Sequence, residues 1–170
     1  AQSDGDIKGA RDYFSRYVGL MPGDVDALAT YGLLLDEMHA GPRQARQVFM
    51  VYEDVLRAEP TRDEIRRRQI EIAMEAGRAP DALAHVRVLR QLYPADGKLD
   101  YQAGRCFEEL AEHDAAVKAY EAAIEHSPEL LETYARLACL SQTKLERPAH
   151  ARKILDDMVA RLRTSPMSWL

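Results

Sequence analysis

The sequence is short of the residue types that most chemical sites need. Its 170 residues include two cysteines, Cys106 and Cys139, too few for a disulfide framework. Both fall inside helical patterns and read as small buried hydrophobes rather than reactive thiols. The five histidines, His39, His85, His113, His126 and His150, lack the paired spacing of a metal site. No Ser, Cys or His sits in a nucleophile signature, and no Gly-rich phosphate loop is present. No catalytic residue, metal or cofactor is therefore expected. No apolar run approaches the roughly 18 residues of a membrane span, so membrane insertion of this segment is not expected. Basic charge is lacking too. The formal net charge is −5, which argues against nucleic acid as the partner. The run Arg66-Arg67-Arg68 lies beside Asp63, Glu64 and Glu71 and reads as a solvated helix face.

What the sequence does have is proline at regular intervals. Pro22 to Pro42, Pro60 to Pro80 and Pro128 to Pro148 share one spacing, and the same step from Pro94 leads to Asp114. Shorter intervals of two sizes separate these pairs. Pro42 to Pro60 matches Pro148 to Pro166, and Pro80 to Pro94 matches Asp114 to Pro128. Proline suits the first turn of a helix and stops the helix before it, so each proline is expected to mark a helix start. Ala, Leu, Glu, Arg and Gln fill the space between them, and these are strong helix formers. The pattern predicts helices over 6–19, 24–38, 42–57, 62–76, 80–92, 96–111, 114–126, 129–144 and 148–163, with no strand. Asp24 and Asp96 read as N-caps. Thr61 with Glu64 reads as a capping box, and Ser127 as the cap before Pro128-Glu129. Gly41 and Gly77 sit where first helices end, a place for a left-handed residue.

A helix–turn–helix unit of about 34 residues is the tetratricopeptide length. Residues 95–128 carry that pattern most fully, with Ala103-Gly104 and Phe107 in the first helix and Ala116, Tyr120 and Pro128 in the second. Residues 61–94 hold Ala73, Ala82, Val86 and Pro94. Residues 23–60 hold Leu28, Tyr31-Gly32, Leu35, Tyr52 and Pro60, and residues 129–166 hold Tyr134, Leu137-Ala138, Met158 and Pro166. Residues 1–22 supply a second helix alone, with Ala10, Phe14 and Pro22. The chain thus resembles a bacterial-type array of the tetratricopeptide repeat (TPR) family over its whole length. The resemblance implies an all-α, right-handed solenoid of antiparallel helix hairpins, with four full repeats and partial repeats at the ends. Gly32, Gly104 and Ala138 would let the helices of a hairpin approach closely, with Phe14, Tyr52, Phe107 and Tyr120 filling the gaps.

The units 23–60 and 129–166 are longer than 61–94 and 95–128, with similar inserts at Pro42–Arg46 and Pro148–Arg152. The excess of four residues makes about one helical turn, so these units should have longer second helices rather than loose loops. Met167-Ser168-Trp169-Leu170 looks like the opening of a further first helix. The whole reads as a single array, 1–170, cut from a longer protein. The chain opens Ala1-Gln2-Ser3, as a trimmed or mature product would, and the compartment, cytoplasmic or periplasmic, stays open. Partly bare ends, with Tyr13, Phe14 and Tyr17 at one and Trp169 and Leu170 at the other, would permit end-to-end association.

In the family that the chain resembles, first helices line a concave groove that holds a peptide. Carried over, the groove positions are Asp26, Ala29, Leu33 and Asp36; then Glu64, Arg67, Arg68, Glu71 and Met74; then Lys98, Tyr101, Gln102, Arg105 and Glu108; then Glu132, Ala135, Arg136, Cys139 and Gln142. The strongest candidates are Arg67, Arg68, Glu71, Lys98, Tyr101, Gln102, Arg105 and Arg136, because guanidinium forks suit carboxylates and a tyrosine adds flat contact area. The ligand expected is a protein or peptide, with an acidic segment favoured. The asparagines and lysines with which chaperone adaptors of the family clamp a terminal carboxylate are replaced by Ala29, Leu33, Arg68 and Gln102, leaving only Lys98, so chaperone tails are not the expected ligand. Two further readings stand beside the scaffold: a structural or oligomerisation module, and a non-catalytic domain of a larger protein.

Overall fold

The computed structural model describes the backbone of residues 2–164 and the side chains of residues 7–163. Among the described residues there are nine helices and no strand: α1 (Gln2–Leu20), α2 (Val25–Met38), α3 (Pro42–Ala58), α4 (Asp63–Glu75), α5 (Ala79–Leu92), α6 (Gly97–Glu109), α7 (His113–His126), α8 (Leu131–Thr143) and α9 (Pro148–Thr164). Pro166 and the expected helix opening at 167–170, with Trp169 and Leu170, lie outside the described residues. Two compact units divide the chain, Ala1–His85 and Val86–Leu170. In the first, α1 packs on α2, α2 on α3 and α3 on α4. In the second, α6 packs on α7, α7 on α8 and α8 on α9.

The prolines do two different things, and this corrects the expectation that each begins a helix. Pro42 and Pro148 open α3 and α9, and Pro80 is the second residue of α5. Pro22, Pro60, Pro94 and Pro128 instead lie three residues ahead of α2, α4, α6 and α8. Each occupies the second position of a four-residue turn closed by a backbone hydrogen bond. The donors and acceptors are Asp24 N–H to Met21 C=O (3.1 Å), Arg62 to Glu59 (3.4 Å), Asp96 to Tyr93 (3.2 Å) and Leu130 to Ser127 (3.1 Å). Proline favours that position because its ring fixes the φ the turn requires. The same corner therefore recurs between successive hairpins, ahead of each of these first helices.

Capping follows from these corners. The Asp24 carboxylate accepts the Ala27 N–H at 2.9 Å, and Asp96 accepts that of Lys98 at 3.0 Å. The expected box at Thr61 does not form: Arg62 is the N-cap, without a side-chain cap bond, and the Thr61 carbonyl accepts the Asp63 N–H. Ser127 ends α7 rather than capping α8, because the corner delays the helix to Leu131. Gly77, at φ 72°, closes α4 in the left-handed conformation, with Arg78 N–H bonded to Ala73 C=O at 2.8 Å. Gly41 is the N-cap of α3, at φ 156°, and not the left-handed end of α2, which His39 terminates. In the second unit the place of Gly77 is taken by Ala111, at φ 58°, with Glu112 N–H bonded to Phe107 C=O at 2.9 Å.

Packing within the α2–α3 and α6–α7 hairpins rests on a glycine against a tyrosine ring. A Cβ on Gly32 would stand 2.8 Å from Tyr52, and one on Gly104 would stand 2.4 Å from Tyr120. Both tyrosines are fully buried. Ala45, Val48, Val55 and Leu56 of α3 are buried with Tyr52 in the first unit, and Tyr120 packs with Tyr134, Leu137 and Ile154 in the second. The inserted residues extend helix as expected: α3 and α9 each have 17 residues, against 14 in α5 and α7. Cys106 is buried but Cys139 is exposed, so only the first is the core hydrophobe expected. Arg66 also departs from the solvated face expected of it. It is 7% exposed and donates to His85 Nδ1 (3.2 Å) and Pro60 O (2.6 Å), while His85 Nε2 donates to Glu53 at 2.7 Å.

Urea denaturation should show Gly104→Ala losing about 1–3 kcal/mol, since the added methyl overlaps the Tyr120 ring. Gly9→Ala, where no atom lies within 4 Å of the new methyl, should gain about 0.5–1 kcal/mol from helix propensity alone. Equal effects at the two sites would contradict this account of the hairpin. Ala111→Gly should stabilise the chain by about 1 kcal/mol, because it removes the cost of a left-handed alanine.

Candidate interaction surfaces

The eight strongest sequence candidates fall in two sets. Arg67, Arg68 and Glu71 are on α4 of the first unit; Lys98, Tyr101, Gln102 and Arg105 on α6, with Arg136 on α8, are in the second. Lys98 and Arg136 are exposed, and the other six are half-buried. Two of the arginines face inward partners. Arg68 grips Asp36 with both Nε and Nη2 at 2.7 Å, a bidentate charge-assisted pair. The same carboxylate accepts the Tyr52 hydroxyl at 3.0 Å. In the second unit Arg136 donates to Glu108 at 3.3 Å, and Glu108 accepts the Tyr120 hydroxyl. Tyr101 leans on Tyr120, with ring centroids 5.9 Å apart, and bonds Arg136.

These two constellations are one device used twice. A carboxylate near the end of a first helix receives the phenol of its own second helix and the guanidinium of the next first helix. Burial, then the adjoining carboxylate, pushes the Tyr52 and Tyr120 phenols up, so both remain donors. Burial by itself would raise the Asp36 carboxyl, but the hydrogen bonds from Arg68 and Tyr52 together outweigh it and hold the group below its usual range. A spacing signal for the device existed in the sequence. Tyr52 follows Asp36 by 16 positions and Arg68 follows it by 32. Tyr120 follows Glu108 by 12 and Arg136 follows it by 28. The constant difference of four is the insert ahead of Tyr52. The sequence offered Arg68 and Arg136 as groove candidates and Tyr52 and Tyr120 as packing residues, but their engagement with carboxylates on neighbouring helices was not legible.

Polar groups that sequence reasoning missed reinforce the same faces. His39 ends α2 and donates Nδ1–H to the Asp36 carbonyl (2.5 Å) and Nε2–H to Glu75 of α4 (2.6 Å). The bond to the Asp36 carbonyl, then that to Glu75, raises its pKa. Asp100 is fully buried, between Arg90 at 2.8 Å and His126 at 2.7 Å. Ser141, His150 and Glu121 stand in the order of a hydrolytic relay. The Ser141 side chain is buried, however, and His150 lies 3.9 Å from Glu121. Among the described residues, no three His, Cys, Asp or Glu side chains converge as a metal site would need, and no helix is long and apolar enough to cross a membrane.

The first unit has an open cleft between α2 and α4. Its volume is about 290 Å³, and Asp26, Ala29, Leu33, Glu64, Ile65 and Arg68 contribute to its walls. Ala29 and Ile65 form a buried floor, and Leu33 stands 54% exposed above it. Asp26, Ala29, Leu33 and Glu64, groove candidates outside the strongest eight, join Arg68 here.

Helix hairpins of two sizes, joined by a recurring proline corner and packed through a small residue against an aromatic, define an all-α protein with the tetratricopeptide-repeat fold. Known structures bear this out. MamA protein superposes with a TM-score of 0.81 at 16% identity, covering 99% of this chain and 90% of that one. MamA from Desulfovibrio magneticus RS-1 gives 0.78 at 16% identity, covering 97% and 90%. YrrB, described as a TPR protein with an unusual peptide-binding site, gives 0.75 at 16% identity, covering 96% and 82%. At such identities the likeness concerns the fold. No family model matches the chain, and no curated protein matches its sequence.

The titrations have opposite signs. Asp36 contributes stability above the carboxylate range that is lost as pH falls through its depressed pKa. His39 contributes stability that is full below about pH 6.5, its unfolded value, and is lost as pH rises through its raised pKa. Thermal melts from pH 3 to 9 should therefore show His39→Gln removing part of the alkaline decline, and Asp36→Asn removing part of the acid decline. A His39→Gln profile parallel to that of the parent would rule out the His39 assignment.

Proposed function

We propose that the chain is a non-catalytic scaffold that holds a peptide or a partner protein on the first-helix faces of its hairpins. The observation that carries this reading is the α2–α4 cleft, an open hollow with an exposed Leu33 over a buried floor, whose walls are fixed by the Arg68–Asp36–Tyr52 clamp. A rigid wall loses little freedom on binding, which favours recognition without rearrangement. Extended and helical peptides both use such hollows, with apolar anchors in the floor and polar groups at the rim. YrrB, whose fold this chain shares, is described as having a peptide-binding site, and that description is consistent with the reading.

In the second unit the expected acidic ligand rests on Lys98, Arg105 and Arg136 around Tyr101. Lys98 and Arg136 are exposed, so a carboxylate can approach them, although Arg136 already serves Glu108. A second reading, as an oligomerisation module, is favoured by α9. Leu155, Val159 and Leu162 are 41%, 40% and 37% exposed along it, an apolar stripe of the kind that pairs with another surface.

Random-peptide display against the whole chain should enrich binders with dissociation constants in the micromolar range, a common strength for transient recognition. Leu33→Glu should weaken binders of the first unit, and Lys98→Glu those of the second. If no peptide is enriched and sedimentation instead shows concentration-dependent dimers abolished by Val159→Glu, the oligomerisation reading replaces the scaffold.

A further inference from the structure

Resting on the scaffold reading, we infer that the first unit's cleft takes a basic, amphipathic segment of a partner, with arginine or lysine side chains seated between carboxylates and tyrosine rings. The cleft between α2 and α4 does not end at α2. A second hollow of about 350 Å³, between α1 and α2, is lined by Tyr13, Phe14 and Tyr17 and shares Asp26 and Thr30 with the first. The two hollows thus form one surface on either side of α2.

Its charge is one-sided once the internal pairs are assigned. Arg62 and Arg68 are the cations along it. Arg62 is bound to Asp26 and, at 2.5 Å, to Glu59. Arg68 is held by Asp36 through both nitrogens. These guanidinium groups are neutralised where they stand. Asp24 and Glu64 add further carboxylates, and the Asp26 side chain is 86% exposed in spite of its partner. The excess is negative, which opposes an acidic ligand here and attracts a basic one.

The rings supply the second half of the recognition. Tyr13 is 63% exposed and stacks on Tyr17 with centroids 6.1 Å apart, while Phe14 meets Tyr13 edge-on at 5.5 Å. Tyr17 donates its hydroxyl to Asp24 at 3.1 Å, which sets a carboxylate beside the ring cluster. An aromatic face with a nearby anion is a favourable seat for a guanidinium or ammonium group. The exposed Leu33 and the floor at Ala29 and Ile65 offer apolar contact between such seats. The segment that fits therefore alternates apolar and basic side chains.

The test uses the 170-residue chain and three fluorescent peptides, in which leucine alternates with arginine, with glutamine or with glutamate. Fluorescence anisotropy at low salt should show the arginine peptide binding about tenfold more tightly than the glutamine peptide, and the glutamate peptide binding most weakly. Raising salt to about 0.5 M should shrink the arginine advantage. Tyr13→Ala and Glu64→Gln, both at exposed positions, should each weaken the arginine peptide about three- to tenfold, and Glu132→Gln on α8 should leave it unchanged. A glutamine peptide that binds as tightly, or an arginine peptide indifferent to both Tyr13→Ala and Glu64→Gln, overturns the inference. A display selection that succeeds with acidic or uncharged sequences at this cleft would overturn it too, while leaving the scaffold reading in place.

Discussion

The approach of a bare Cα to an aromatic ring is the contact on which the rest depends. Gly32 lies under Tyr52 and Gly104 under Tyr120, closer than any side chain would permit. That closeness buries each phenol's ring completely while leaving its hydroxyl at the edge of the hairpin. A hydroxyl there must find a partner, because an unsatisfied buried donor is costly. Asp36 and Glu108 provide one, and the negative charge so placed attracts Arg68 and Arg136 from the following hairpins. Close packing inside a hairpin thereby generates the polar link between hairpins. The register of the second repeat holds Met74, Val86 and Gln102 at the corresponding positions, a set with no carboxylate, phenol or guanidinium.

Much of the fold was legible in residue spacing. The proline intervals mark the hairpins, and the small residues and aromatics were read as packing positions, but that Gly32 meets Tyr52 and Gly104 meets Tyr120 appears only in the structure. The misreadings at the corners share a cause. Pro22, Pro60, Pro94 and Pro128 read as helix starts because proline suits both a first helical turn and the second position of a tight corner, and only backbone geometry separates the two. Thr61 loses its capping role to the same corner. Arg66 looks solvated in the sequence because it adjoins two other arginines, but it lies on the buried side of α4 and reaches His85, nineteen positions along the chain.

The charge of the candidate surfaces depends on pairings between helices that the sequence does not show. Counting arginines on first helices suggests affinity for acidic ligands. In the folded chain Arg62 is bound to Asp26 and Arg68 to Asp36, carboxylates of another helix that only the fold aligns with them. Once such pairs are removed from consideration, the character of a surface is set by the charges left over and by exposed rings. Residues along α1, which the sequence marks as a lone second helix with a partly bare end, then belong to the recognition surface proposed for the first unit.

The extra turn in α3 has an architectural implication. It is inserted between the tip of the hairpin and Tyr52, upstream of the tyrosine, so everything from Tyr52 onward shifts together by one whole helical period. The grip of Asp36 on Tyr52 and Arg68 survives unaltered beside a hairpin that projects farther. Reach and fastening are thus independent variables in this chain: a second helix can gain a whole turn ahead of its tyrosine while the latch to that tyrosine is kept.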